Sequence, residues 1–526
     1  MTSDSELQHE IADFLSRPGN LPGAATDVER VETHISIIFL AGDRAWKLKR
    51  ARTFPYLDFS TLENRRKACD AEVSLNRRTA PDIYLGVVAV TRKPRGGFEV
   101  GGSGDPVDWM VEMRRFDQST LFDKLATENR LDRPLMEELA EAIAEFHAKA
   151  EVYTDRGGRA GVQAVADSNA ECFIRDGKGI FEDCLVADLD TRTRAAVDRV
   201  GDVLDKRRAD GRVRHCHGDL HLRNIFLHDG RPTLFDAIEF SEDFSIIDVL
   251  YDLAFLLMDL DHRGHRRLAN LAFNRYMAVT GDVGGLACLP LFLSLRAAVR
   301  AHVGAAAANT QSDKAQSALQ ADEARRYLEA ALAYLDPLPP RAVAVGGLSG
   351  SGKSRLAREI APYIGVAPGA FIARSDAIRK RLAGTSLSEK LDQSGYTPEM
   401  TQRTYETVYA DMATALEAGH AAIADAVFAK PEQRTAVEAV ARERHVPFDG
   451  IWLESDRSTM ATRIDERQDR VSDATPSVLD RQLTYELGEI SWHRVDSSGT
   501  REATLQAGLA VLGVNLSGTP PTGSDD

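Results

Sequence analysis

The sequence predicts a chain of two domains, the first mixed α+β and the second α/β with a parallel sheet. Three observations carry this expectation. At 526 residues the chain exceeds what one hydrophobic core sustains. The stretch Asp336-Pro337-Leu338-Pro339-Pro340 cannot continue a helix and punctuates the chain. Before it, short hairpins mix with long helical segments; after it come a buried strand, a glycine-rich loop and a helix. The boundaries read as residues 1–335, a Pro-rich linker 336–340, a second domain 341–516 and a tail 517–526 whose Pro/Gly/Ser/Asp content predicts disorder. Such a joint predicts halves that fold separately.

Composition narrows the function classes. Hydrophobic residues make up 43% and charged residues 28%, as in soluble globular proteins. A net charge of −15 argues against broad nucleic-acid binding, which needs excess Lys and Arg. The five cysteines are scattered and odd in number, with no CxxC pair, and read as reduced thiols of a cytoplasmic protein. Met1 to Glu10 is polar and lacks an apolar signal core. The most apolar helix, Ile246 to Leu260, carries Asp248, Asp252 and Asp259, so it reads as buried and not as a membrane span.

The first domain begins with a short helix broken at Pro18-Gly19 and Pro22-Gly23. Ile35 to Leu40 and Ala45 to Leu48 read as a hairpin around Ala41-Gly42-Asp43-Arg44. Lys47 and Lys49 share one face of its second strand by period two, so one of them is expected to reach nucleotide phosphates. Leu62 to Thr79 reads as a charged helix containing Glu72. Ile83 to Val90 and Trp109 to Met113 read as strands, the second leading into Arg114-Arg115-Phe116. Leu135 to Ala150 is an amphipathic helix.

His215-Cys216-His217-Gly218-Asp219-Leu220-His221-Leu222-Arg223-Asn224 organises this domain. Ile225-Phe226-Leu227, a turn at His228-Asp229-Gly230 and Thr233-Leu234-Phe235 follow, ending in Asp236. A hairpin of this kind holds three polar groups together. Phosphoryl transfer needs such a set: a carboxylate to orient the attacking hydroxyl, and an Asn and a second Asp to hold magnesium on nucleotide phosphates. The expected roles are Asp219 as base, with Asn224 and Asp236 as metal ligands. His215, His217, His221 and Asp219 could instead form a metal cluster, but this leaves Asn224 and Asp236 without a role.

His217-Gly218-Asp219-Leu220-His221 with Asn224 resembles the loop of the aminoglycoside phosphotransferase and choline kinase superfamily. The resemblance implies a bilobal protein-kinase-like fold, with a hinge near Arg114-Arg115-Phe116, Lys47 on the phosphates and Glu72 as its partner. It gives His217 a role in fixing the loop and Asp248 a role in bracing it. No Gly-x-Gly-x-x-Gly covers the hairpin, a departure from protein kinases. An alanine-rich helical region over about 265–335 completes this domain.

The second domain opens on the strand Arg341 to Val345, which enters Gly346-Gly347-Leu348-Ser349-Gly350-Ser351-Gly352-Lys353-Ser354 and then a helix through Ile360. Gly347-x4-Gly352-Lys353-Ser354 fits a P-loop in its required strand–loop–helix context. Gly347, Gly350, Ser351 and Gly352 let backbone N–H groups face phosphates, Lys353 meets the β and γ phosphates, and Ser354 meets magnesium. Phe371 to Arg374 reads as a strand before Ser375-Asp376-Ala377-Ile378-Arg379. Asp376 can take an acceptor proton and Arg379 grip an anion, or Asp376 can simply cap the helix. Ala421 to Ala426 reads as a buried strand placing Asp425 on magnesium. Arg463, Arg467 and Arg470 share one helix face, either as a lid over phosphates or as a solvated face. From Arg341 to about Leu512 the chain resembles the P-loop small-molecule kinases that include gluconate kinase, zeta toxin and polynucleotide 5′-kinase domains.

The whole pattern resembles bacterial fusions labelled bifunctional aminoglycoside phosphotransferase/ATP-binding proteins. It implies an ATP- and Mg2+-dependent kinase with two nucleotide sites, each acting on a small-molecule hydroxyl acceptor, with no membrane partner. The alternative is one active P-loop domain, with the N-terminal domain as a nucleotide-binding regulatory module.

Overall fold

The computed structural model describes residues 4–22, 27–54, 57–466 and 471–514. The expected tail 517–526, Arg467 and Arg470 lie outside the described residues. The chain forms two compact units. The first comprises Met1–Leu131, Glu145–Gly157 and Asp210–Asp252; the second comprises Asp132–Ala144, Gly158–Ala209 and Leu253–Asp526. The Pro-rich segment 336–340 lies inside the second unit, so compactness does not divide the chain where the prolines do.

In the first unit, helix α1 (Asp4–Leu15) precedes strands β1 (Glu29–Glu32), β2 (Ser36–Ala41) and β3 (Arg44–Lys49). The short pair β4 (Thr53–Phe54) and β5 (Leu57–Asp58) leads to helix α2 (Leu62–Asn76) and strands β6 (Tyr84–Arg92), β7 (Phe98–Val100) and β8 (Pro106–Arg114). Six strands pair antiparallel in the order β1-β2-β3-β8-β6-β7. Alternation decides the two faces. Phe39, Trp46 and Leu48 pack with Ile11 and Leu15 of α1 on one side. On the other, Val111 and Tyr84 pack with Cys69 and Val73 of α2. Because α2 covers that face, Lys47 and Lys49 are buried instead of solvated. Thr61 caps α2 by accepting the Asn64 N–H at 3.1 Å. Cys69, Glu72, Val73 and Asn76 recur at helical spacing along its buried face.

Short helix α3 (Phe122–Thr127) and the long helices α4 (Arg133–Lys149), α5 (Gly158–Asp176) and α6 (Asp183–Ala209) follow. Back in the first unit, β9 (Val213–His215) leads to the hairpin β10 (Ile225–His228) and β11 (Arg231–Leu234), then α7 (Glu242–Ser245) and β12 (Ile246–Asp248). The continuous helix expected from Ile246 is interrupted at its start. Ile246 to Asp248 pair antiparallel with β9, and α8 begins only at Val249 and runs to His262. The β-branched Ile246-Ile247 suits a strand, and tertiary pairing overrides the helical pattern there.

The second unit continues through α9 (Arg266–Thr280), α10 (Leu289–Thr310) and α11 (Lys314–Tyr334). The stretch Val283–Thr310 is long and apolar enough to cross a membrane by length and composition alone, and 72% of its most apolar window is buried. Strand β13 (Ala342–Gly347) then enters α12 (Lys353–Ile360), followed by β14 (Phe371–Arg374), α13 (Ser375–Leu382), α14 (Pro398–Glu417), β15 (Ala422–Asp425) and α15 (Pro431–Glu443). Strand β16 (Phe448–Glu454), α16 (Arg457–Asp465), α17 (Pro476–Gln482), β17 (His493–Asp496) and α18 (Arg501–Val511) complete the described chain. The five strands are all parallel, in the order β14-β15-β13-β16-β17. Val343, Val345, Ile423 and Ile451 fill the core with Leu356 and Ile360 of α12. The near-continuous apolar runs of β13 and β15 are those of a sheet covered on both faces.

Candidate active sites

The first site grows from β3, α2 and the β10–β11 hairpin. Lys47 Nζ donates to Glu72 Oε1 at 2.9 Å and to Asp236 Oδ1 at 2.6 Å. Burial alone would lower the Lys47 ammonium, but Asp236, Glu72 and Glu239 outweigh it and hold the pKa well above the ordinary lysine value. Lys49, fully buried, is ion-paired with both Glu72 and Glu239. Burial pushes Glu72 up, yet Lys47 and Lys49 together pull its carboxyl down to about 2. Burial raises the Glu239 carboxyl against the pull of Lys49. Period two left Lys47 and Lys49 open, and the resemblance to kinases favoured Lys47. The structure uses both, and only Lys47 reaches Asp236.

Asp236 adopts φ 60°, a left-handed backbone that is rare outside glycine. The Tyr84 hydroxyl accepts its N–H at 3.1 Å, and Asn76 Oδ1 accepts the Ala237 N–H at 2.8 Å. Strain at a residue whose backbone is pinned by two side chains marks a site where orientation matters. Asn224 Nδ2 donates to Asp219 Oδ2 at 2.8 Å and to the Asp219 carbonyl at 2.9 Å. His217 bridges the halves of the site. Its Nε2 lies 2.8 Å from the Phe235 carbonyl, and its Nδ1 accepts the Asp219 N–H at 3.3 Å. Burial lowers the His217 pKa, and because Nδ1 accepts the Asp219 N–H, the ring proton belongs on Nε2, facing the Phe235 carbonyl. His217 ties Asp219 to the residue before Asp236.

Asp252 braces the loop from beneath, the role that the resemblance gave to Asp248. Asp252 accepts the N–H groups of His217 at 3.0 Å and Gly218 at 2.8 Å, and contacts His147 Nε2 at 3.1 Å. Asp248 ends strand β12 and accepts the Leu250 N–H at 2.8 Å. The two acids are not on one helix face because the helix starts between them. His147, Cys216 and Asp252 also bring three potential ligand atoms within 4.8 Å. Asp252 spends its oxygens on the loop's N–H groups there, and the Cys216 thiol points at the Ile247 carbonyl, 3.5 Å away. Sequence reading missed Glu239 and Asp252; the spacing Asp236-x-x-Glu239 was the available signal for the first.

In the second site, the P-loop joins β13 to α12. Gly347, Gly350 and Gly352 have φ of 145°, 83° and 91°. A Cβ at Gly350 would stand 2.3 Å from the Met460 carbonyl oxygen, so backbone packing excludes any larger residue there. Gly352 precedes the first turn of α12, whose N-terminal N–H groups and dipole favour an anion. Lys353 Nζ points back to the Leu348 carbonyl at 3.5 Å. The Ser349 N–H donates to Gln482 Oε1 at 2.8 Å. Ser351 offers its carbonyl to the Ser497 hydroxyl at 2.8 Å.

Asp425 ends the buried strand β15. Neither carboxylate oxygen has a well-formed hydrogen bond from a described residue. Ser354 and Lys353 of α12 lie beside it, and Arg374 Nε is 3.7 Å from Oδ2. Burial pushes the Asp425 carboxyl up against the pull of these neighbours. An orphaned buried carboxylate beside a hydroxyl is a hard-oxygen donor set, which fits Mg2+. Asn224 and Asp236 offer the same chemistry in the first site. Asp376 lies in the first turn of α13, whose N-cap residue is Arg374. It acts electrostatically on Asp425 and on Tyr405, whose hydroxyl accepts the Phe428 N–H at 3.2 Å and which burial pushes up to about 12. Arg379 is tied to the Gly395 carbonyl at 3.0 Å and lies over the Tyr396 ring. Arg463 donates to the Ser497 carbonyl at 2.7 Å, next to the P-loop's own partner, and α16 ends two residues later.

Residues 113–286 match the phosphotransferase enzyme family, and residues 343–486 match an AAA domain. An uncharacterized protein of Mycobacterium tuberculosis (strain ATCC 25618 / H37Rv) is 29% identical over 486 residues, 90% of this chain and 93% of that protein. Among solved structures, a choline/ethanolamine kinase family protein from Mesorhizobium loti covers 62% of this chain and 99% of its own at 14% identity and TM-score 0.37. A sugar kinase from Janibacter sp. HTCC2649 covers 34% of this chain and 96% of its own at 24% identity and TM-score 0.26. The two family matches support ATP-dependent phosphoryl transfer. One chain thus carries two matched segments, residues 113–286 to the phosphotransferase enzyme family and residues 343–486 to an AAA domain.

Proposed function

We propose that this chain is a kinase with two nucleotide sites, each passing the γ-phosphoryl group of ATP to a hydroxyl of a small molecule. The observation that carries the reading is the convergence of Lys47, Asp219, Asn224 and Asp236, linked by direct hydrogen bonds and by the His217 bridge. In the first site Asp219 orients the acceptor hydroxyl and takes its proton. Lys47 leaves Asp236 for the phosphates while Glu72 keeps it in place. A cavity of about 400 Å³ beside Gly42, Arg115, Phe116 and Gln118 offers space for the base at the expected hinge. In the second site the P-loop amides and Lys353 hold the phosphates, Asp376 serves as base, and Arg463 braces the loop through Ser497. Magnesium would rest on Asn224 and Asp236 in the first site and on Ser354 and Asp425 in the second, and when bound it neutralises phosphate charge.

A metabolite screen with labelled ATP on the full chain tests this, run beside Asp219→Asn, Lys353→Ala and the double variant. Each single variant should lose one set of labelled products and keep the other, with melting temperature unchanged. If Lys353→Ala alone removed every product, the N-terminal domain would be a nucleotide-binding regulatory module and the two-site reading would fall.

A further inference from the structure

Helix α9 lies within the segment that matches the phosphotransferase enzyme family, yet it packs on the sheet of the P-loop domain. Strand β14 is an edge strand of that sheet. An open edge presents N–H and C=O groups that need partners. Here the Asn274 side chain supplies them. Its Oδ1 accepts the Ile372 N–H at 2.7 Å, and its Nδ2 donates to the Ala370 carbonyl at 3.1 Å. Asn270 Nδ2 adds a second bond to the Ala370 carbonyl at 3.2 Å. One side-chain amide therefore makes the pair of hydrogen bonds that a neighbouring strand's backbone would make.

The anchor sits close to the chemistry. Two residues beyond Ile372, Arg374 stands 3.7 Å from Asp425. A cavity of about 70 Å³ fills the angle between them and the helix, lined by Ser354, Arg374 and Asp425 on one side and Asn270, Asn274 and Arg275 on the other. Arg275 is held by Glu141 at 2.7 Å, so the helical wall is itself fixed.

We propose that α9 is a working part of the P-loop site and that Asn274 is a positioning residue. By anchoring the start of the four-residue strand β14 it keeps Arg374 at its far end, with Asp425 and Ser354, in the spacing that a divalent cation and its nucleotide require. The inference rests on the reading that this site binds a magnesium nucleotide. Mg2+ demands near-ideal octahedral geometry, so a loosened strand end weakens the cation before it weakens phosphate binding, which depends on the backbone cradle of the P-loop.

The test uses the full chain carrying Lys47→Met and Asp236→Ala, which remove the first site's phosphate-facing cation and one of its metal ligands, so that binding with or without magnesium reports on the P-loop. An imido-bridged, non-hydrolysable ATP analogue is titrated without magnesium and then with MgCl2, by calorimetry, with thermal melts alongside. Asn274→Leu should raise the Mg2+ concentration for half-saturation about 10-fold, the usual size of an outer-shell effect, and leave magnesium-free binding of the analogue unchanged. Asn274→Ser, which changes the volume less and keeps a polar group, replaces it if Asn274→Leu does not fold. Unchanged Mg2+ half-saturation overturns the proposal. So does a parallel loss of both affinities with a lowered melting temperature, which would make the contact packing alone. A Lys353→Ala control that still bound the analogue fully would remove the nucleotide reading itself and this inference with it.

Discussion

Lys47 sits between two carboxylates that differ in exposure. The Glu72 carboxylate is fully buried, whereas the Asp236 side chain is 41% exposed, so on the proposed function the Asp236 contact is the one that yields to nucleotide. Asp219→Asn should leave nucleotide affinity intact and lower phosphoryl transfer at the first site by about 10²–10⁴-fold, the size of a general-base contribution. Steady-state kinetics on an identified acceptor decide this, and full turnover would exclude Asp219 as the base. Asp236→Ala should act on the other quantity, raising the Mg2+ requirement for binding. The Lys47–Glu72 contact was legible through the resemblance to kinases, since period two alone left Lys47 and Lys49 both open. Lys49 and Glu239 were not, since a lysine on a strand and a glutamate after a hairpin look solvated until a helix is laid over them. Asp252 was hidden by the assumption of one helix from Ile246, which the pairing of β12 with β9 breaks.

At the scale of elements, the strand–loop–helix of the P-loop was readable almost to the residue, because glycine spacing there answers to backbone geometry alone. Gly350→Ala should lower unfolding free energy by about 1–3 kcal/mol through strain and lose nucleotide binding at the second site, seen in melts and calorimetry. Strand β15 offers a pH prediction. His420, just before it, is fully buried, and neither ring nitrogen has a hydrogen-bond partner among the described residues. Burial lowers its pKa from the ordinary 6.5 to about 4. Between those values the unfolded chain binds a proton that the folded chain refuses, so its stability contribution is full above 6.5 and is lost as pH falls toward 4. Melting temperature should fall over that range. His420→Leu should flatten the fall without lowering the melting temperature at pH 7, since no hydrogen bond is given up. An unchanged pH slope would show that other groups control it.

At the scale of the molecule, the prolines and the compact units disagree. Residues 336–340 break the helical pattern as expected, but α9 carries structure from before them onto the sheet that follows. Sequence cannot show this, because Asn270 and Asn274 look like ordinary polar helix residues until an edge strand faces them. A chain starting at Pro340 leaves the Ile372 N–H and the Ala370 carbonyl without their partners and uncovers His420, which faces Phe273 at 6.0 Å. Such a fragment should aggregate or melt well below the full chain and recover when residues 1–335 are co-expressed. Separate cooperative melting of both pieces at the parental temperature would contradict this. The amide anchor also bears on how the gene can change. A proline-rich joint invites recombination, yet an exchange at this one would separate Asn274 from the strand it serves. The two coding regions are therefore expected to travel together through lineages, with any P-loop partner that lacks α9 carrying its own cover for that edge.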